Sequence, residues 1–287
     1  IGSGDSAKGD TDIKIKNSNV TAKGFIDVRY VSHGTGIGSG LSSSGKTTID
    51  ISGGTVKATG SGDGYKGSAG IGSGSYSTGD TSITLRDGVT VTATGGGNSS
   101  LGGGGGAGIG GGEGGSGEKL YFYSGTVQAN GGRLASGIGG SYKGRGSEIY
   151  IYGGTVSAQG GDGGAGIGGG CWTTEQDMNG INAAHDIYIS GGTVTAKGGH
   201  NGAGIGGGQY VPARDITVTG GFVTATGHYG AAIGGGRWCR GMDITLTDAT
   251  LNLSTNYRSN GSDAAAVGYG DRSERLPIGV PVTYKIP

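Results

Sequence analysis

Long apolar runs are missing from this chain of 287 residues. Nothing approaches the ~20 consecutive apolar residues that a helix needs to cross a bilayer, so no membrane span is expected. An excess of one charge is missing too, because 21 Lys and Arg balance 21 Asp and Glu. No basic run appears, and nucleic acid is therefore not an expected partner. Proline, with 4 residues, and cysteine, with 2, are scarce. Cys171 and Cys239 lie in repeats two apart, where stacking alone would separate them by roughly 10 Å. A disulfide needs Cα atoms within about 7 Å, so both thiols are expected to be unbridged to each other. No secretory signal or anchor is visible. The chain opens in the middle of a repeat, which makes it an expected part of a larger protein.

What is abundant is glycine, at 75 residues. Glycine does not recur at every third position, so collagen is excluded. Ile, Leu and Val fall at fixed places among the glycines, which argues against a disordered low-complexity chain. The organising phrase is GAGIGGG, complete at Gly164–Gly170 and Gly202–Gly208. Its central apolar residue marks each repeat: Ile1, Ile37, Ile71, Ile109, Ile138, Ile167, Ile205, Ile233 and Val267. Successive markers are 28 (Ile205 to Ile233) to 38 (Ile71 to Ile109) residues apart. A period of that size with variable insertions is the mark of a solenoid.

Each repeat carries three phrases. The first is I-x-I, as at Ile149–Ile151 and Ile187–Ile189, whose alternation predicts a half-buried strand. A Gly-Gly corner often follows, as at Gly153–Gly154, where φ > 0 would be needed. The second is T-V-x-A, as at Thr155–Ala158, with Val and Ala predicted to face inward and Thr outward. One extra residue at Asp87–Gly88–Val89 predicts a bulge. The third is the GIGGG phrase, a short side where the backbone turns tightly or packs closely. Three short strands per turn predict an all-β fold, a right-handed parallel β-helix (solenoid) of about eight coils. At ~4.8 Å per coil the rod would be about 40 Å long. The repeat domain is expected over 1–273, with a non-repeat tail, cap or linker over 274–287. The longest insertions, Gly95–Gly106 and Cys171–His185, would project from the edges of the rod.

The phrases I-x-I-x-GGTV-x-A-x-GG and AGIGGG together resemble Gly-rich repeats in large secreted or surface proteins of bacteria. The resemblance implies a right-handed parallel β-helix in an extracellular or cell-surface location. The chain is expected to be a rigid spacer or adhesin, with a polysaccharide or a host or cell-surface glycan as its candidate ligand. The alternative is a polysaccharide-degrading enzyme, glycoside hydrolase or lyase, or its accessory domain, since the same fold hosts many activities.

In a stacked solenoid, chemistry is read down columns of successive coils. Tyr121, Tyr150 and Tyr188 occupy the outward position of I-x-I on three consecutive coils, and Tyr123 and Tyr152 follow two residues on. These five rings would make a flat face suited to sugars, or a purely structural ladder of cross-strand pairs. Trp172, Tyr210 and Trp238 lie five residues past the marker, with Tyr76 matching and Tyr142 one residue off. They would clamp the insertions onto the rod or floor a shallow groove. Glu148, Asp186, Asp215 and Asp243 precede I-x-I on four consecutive coils. Calcium would relieve their mutual repulsion, and so would capping of turn N–H groups. The four histidines (His33, His185, His200, His228) read as occupying unlike repeat positions with no metal-ligand spacing. No resident cofactor and no metal ligand is expected beyond that calcium reading. No catalytic residue is assigned, and only loop carboxylates such as Glu113, Glu175 and Asp177 could serve a glycosidase.

Overall fold

A computed structural model of the chain describes residues 1–27, 32–62, 66–97, 103–172, 183–255 and 264–271. The expected tail over 274–287 lies outside them, as do Glu175 and Asp177. The described residues form an all-β, largely parallel, repetitive structure. One sheet of 14 strands collects the I-x-I and T-V-x-A segments, and a second of 8 strands collects the GIGGG segments. In the first two repeats the corner between I-x-I and T-V-x-A is continuous, so Thr11–Lys23 and Thr47–Thr59 each run as one strand of 13 residues. From the third repeat onward the two phrases are separate strands, such as Ser147–Ile151 and Thr155–Gln159.

Alternation is what makes each strand. In Ser147–Ile151, Ile149 and Ile151 are fully buried and Tyr150 between them is half-buried. In Thr155–Gln159, Val156 and Ala158 are buried and Thr155 is exposed. Stacking is residue for residue: Ile149 pairs with Leu120 on one side and Ile187 on the other, and Val156 with Val127 and Val194. A slip by one residue would turn every buried Ile and Val to water, so one register is strongly preferred. The apolar residues fuse into one core cluster along the whole stack. One antiparallel pair, Ile26–Asp27 with Ser32–His33, stands apart from the two large sheets.

The GIGGG phrase is a strand of only two residues. Ile138, Ile167 and Ile205 stack in register, each with its following glycine paired to the next. Gly168 takes φ +127°, and a Cβ built there would stand 2.1 Å from the carbonyl oxygen of Gly206 in the next coil. Backbone conformation and close approach therefore both demand glycine at this position. At the later Gly-Gly corners it is the second glycine that turns left-handed, as Gly154 does at φ +87°, whereas at Gly53–Gly54 both do, at 62° and 75°. The extra residue of the third repeat is accommodated as expected. Asp87 and Gly88 both take positive φ, and Val89 stays buried before the ladder resumes at Thr90.

Candidate functional site

The five tyrosines do meet. Tyr121 pairs with Tyr150 and Tyr150 with Tyr188 in the strand register. The rings of Tyr121 and Tyr150 stack with centroids 5.2 Å apart and planes 6° from parallel. Tyr123 and Tyr152 do the same at 4.9 Å and 19°. Tyr152 then meets Tyr188 edge-on at 6.4 Å and 60°. The spacing follows from the coil pitch, which places equivalent side chains about 4.8 Å apart. One consequence was not legible in the sequence. The rings turn their faces toward one another, so the patch offers solvent mainly phenol edges and hydroxyls. Tyr123 and Tyr152 are its most exposed members, at 50% and 40%. The Tyr188 hydroxyl accepts a hydrogen bond from Thr219 Oγ1 at 3.3 Å. Burial, followed by the carboxylates of Glu148 and Asp186, raises the Tyr150 phenol above its ordinary range.

Those carboxylates belong to the acidic column, and its geometry separates the two readings of it. Lys119, Glu148, Asp186, Asp215 and Asp243 all have positive φ, between 50° and 58°. The corner before I-x-I is thus left-handed, a conformation that Asp tolerates better than most residues. Asp186 and Asp215 make local side-chain pairs, and among the described residues no turn N–H donates to either carboxylate. Asp186 Oδ2 lies 2.7 Å from His185 Nδ1, and Asp215 Oδ2 accepts from Arg214 at 3.3 Å. Among the described residues, no group of three or more His, Cys, Asp or Glu side chains converges as a metal cage.

The second aromatic column sits at the corner where insertions leave the rod. Tyr210 stacks on Trp238 at 4.6 Å and 25°. The Arg237 guanidinium lies 4.2 Å from the Trp238 ring centre and 4.2 Å from that of Tyr229. Tyr210 and Arg237 thus both pack on the Trp238 indole. That arrangement favours the clamp over the open groove. Trp172 packs partly buried against the core, and its backbone N–H donates to the Gln209 carbonyl at 3.0 Å. Tyr76 donates its hydroxyl to Glu113 Oε1 at 3.0 Å, and Lys66 Nζ lies 5.1 Å from its ring centre. Burial and then Glu113 push the Tyr76 phenol up to about 12. Glu113, one of the three loop carboxylates considered for hydrolysis, is therefore 4% exposed and engaged by a phenol.

The histidines need a correction. His200 and His228 each stand five residues before their marker isoleucine, so they share a column. Their rings are 4.3 Å apart, centre to centre. Counting back from Ile205 and Ile233 would have revealed the pair; counting only forward missed it. Cys171 and Cys239 are not bridged to each other, as the repeat spacing predicted, and both are buried.

A family model described as Beta helix repeat matches residues 13–41, 49–75, 123–142, 149–171, 187–209 and 216–237. These segments together make up just over half of the chain. Each of the last four reaches from an I-x-I strand or its corner to the loop past GIGGG. No curated protein matches the chain, and no solved structure does.

Proposed function

The chain belongs to the beta helix repeat family, and from that premise we propose that it is a rigid extracellular or cell-surface spacer with an adhesive face for a polysaccharide. In this reading the rod is a right-handed coil of about eight turns. The observation that carries the binding reading is the in-register tyrosine patch, with Tyr121, Tyr150 and Tyr188 on successive coils. The pitch of the ladder, about 4.8 Å, is close to the rise per residue of an extended glycan. Because the rings stack on each other, contact is made through phenol edges and hydroxyls, along a line that repeats with the coils. Each contact is weak, and avidity grows with glycan length.

A glycan array on the purified chain, followed by retention on the glycans it selects, tests the reading. Replacing Tyr150 and Tyr188 by Ala is expected to lower retention while the circular dichroism spectrum stays the same. The same change at Trp172 and Trp238 probes the loop corner. Retention that survives both pairs of substitutions would leave the aromatic columns structural and the rod a spacer alone. Assay of the selected glycans for cleavage separates this reading from a polysaccharide-degrading enzyme.

A further inference from the structure

Counting back five residues from Ile167, Ile205 and Ile233 gives Asp162, His200 and His228 on consecutive coils. The backbone holds that register. The Asn201 N–H donates to the Asp162 carbonyl at 2.9 Å, and the Tyr229 N–H to the His200 carbonyl at 3.1 Å. The two imidazoles thus arise from equivalent positions one coil apart. Their ring centres are 4.3 Å apart and their planes incline by 32°. Tyr229 buttresses both, edge-on to His200 at 4.6 Å and inclined to His228 at 4.8 Å. Beyond Tyr229 lies the Arg237 guanidinium, held by Asn201 Oδ1 at 3.2 Å and facing the buried Asp271 carboxylate at 3.7 Å. The positive charge of Arg237 therefore faces a negative one.

A pair of imidazoles held this way has a chemistry that stacking alone does not exhaust. Each neutral ring carries one nitrogen lone pair. Two nitrogens on one tetrahedral ion, bonded at 2.0–2.1 Å, lie about 3.3 Å apart. The ring centres of two imidazoles on such an ion stand roughly 5 Å apart, against 4.3 Å here, so opening the stack by about 1 Å and turning the rings brings two nitrogens onto one ion. Imidazole ligates in its neutral form. His200 is exposed, which leaves a path for entry. Imidazole nitrogen suits zinc, copper or nickel and not calcium or magnesium.

We propose that His200 and His228 form a two-histidine site for a transition-metal cation of the Zn²⁺ or Cu²⁺ class, tying two successive coils at the corner where a loop returns to the rod. The protein supplies two ligands and water the rest, so the site is open and remains available to a further donor. It is independent of the tyrosine patch and does not rest on glycan binding.

The test is calorimetric titration of the intact chain with ZnCl₂ and with CuCl₂ at pH 7.5. One equivalent is expected to bind, with affinity weakened about tenfold or more in His200→Ala and in His228→Ala. His185→Ala, whose ring is engaged by Asp186, is expected to leave binding unchanged. Electron paramagnetic resonance of the copper-loaded wild-type chain supplies a readout that does not depend on how the variants fold. Coupling to two nitrogens is expected. No binding by the wild-type chain, binding undiminished in both Ala variants, loss confined to His185→Ala, or a copper spectrum without nitrogen coupling would each overturn the proposal.

Discussion

At the residue scale, the fold is decided by which positions must be left-handed and which must lack a side chain. Gly168 must satisfy both conditions, since its φ is +127° and a Cβ would meet the Gly206 carbonyl at 2.1 Å. Gly168→Ala is therefore expected to destabilise by about 2–4 kcal/mol, read as a shifted urea midpoint. An unchanged midpoint would mean that neighbouring coils separate more freely than their register suggests. The left-handed acidic corner behaves differently. Asp215 has φ 53° and an exposed side chain. Asp215→Gly is expected to be near neutral, whereas Asp215→Val should cost about 1–2 kcal/mol, because a β-branched side chain is crowded there. Tyr76 gives a spectroscopic handle at the same scale. Its phenol is raised to about 12, so its contribution to stability is complete below pH 10 and is lost as pH rises through 12. Near-ultraviolet titration should show a phenol step at about 12, beside the raised phenols of Tyr150 and Tyr152. Tyr76→Phe should abolish that step, and Glu113→Gln should move it to lower pH.

At the scale of the strand and its neighbours, apolar stacking outweighs the charged contacts on the outer face. Ile167 is fully buried and pairs in register with Ile138 and Ile205. Its truncation to Ala removes that packing on both sides, at an expected cost of about 2–5 kcal/mol. Asp50 and Arg86 also join neighbouring coils, with Nε–Oδ1 at 3.0 Å and Nη2–Oδ2 at 2.8 Å. That pair is partly exposed, so Asp50→Asn should cost only about 0.5–1 kcal/mol. The hydrogen bond from Arg86 is the largest reason that the Asp50 carboxyl titrates below its ordinary range. Its stabilisation is present above the usual carboxylate pKa and disappears as pH falls through the depressed one. Urea unfolding of wild type and Asp50→Asn should therefore differ at pH 7 and converge near pH 2.

At the scale of the whole molecule, the chain is one continuous core with no covalent cross-link among the described residues. Cys171 and Cys239 are buried to 4% and 2% exposure. Burial drives the Cys171 thiol up to about 12, so little of the reactive thiolate exists near neutrality. Intact mass after alkylation without reductant should show both thiols modified only when denaturant is present, and no Cys171–Cys239 peptide. Rapid alkylation of the folded chain would show that the loop corners open far more readily than the register of the coils allows.

The sequence alone determined the repeat, the three strands of each coil and the face that each residue presents. All three are local consequences of a backbone with period two, and one coil is enough to display them. Ile149, Tyr150 and Ile151 could be assigned inside, outside and inside before any neighbour was known. The tertiary structure decided how columns meet. Tyr121 and Tyr150 were legible as neighbours, but the turning of their faces toward each other depends on packing between coils 29 residues apart. The acidic column was legible as like charges in a row, but its left-handed φ is a property of a corner that the stacked coils hold in place. The histidine pair lay at a constant distance from the marker isoleucines all along. Only the contact between rings, brought about by a step of 28 residues that closes one full turn, gave that spacing a chemical meaning.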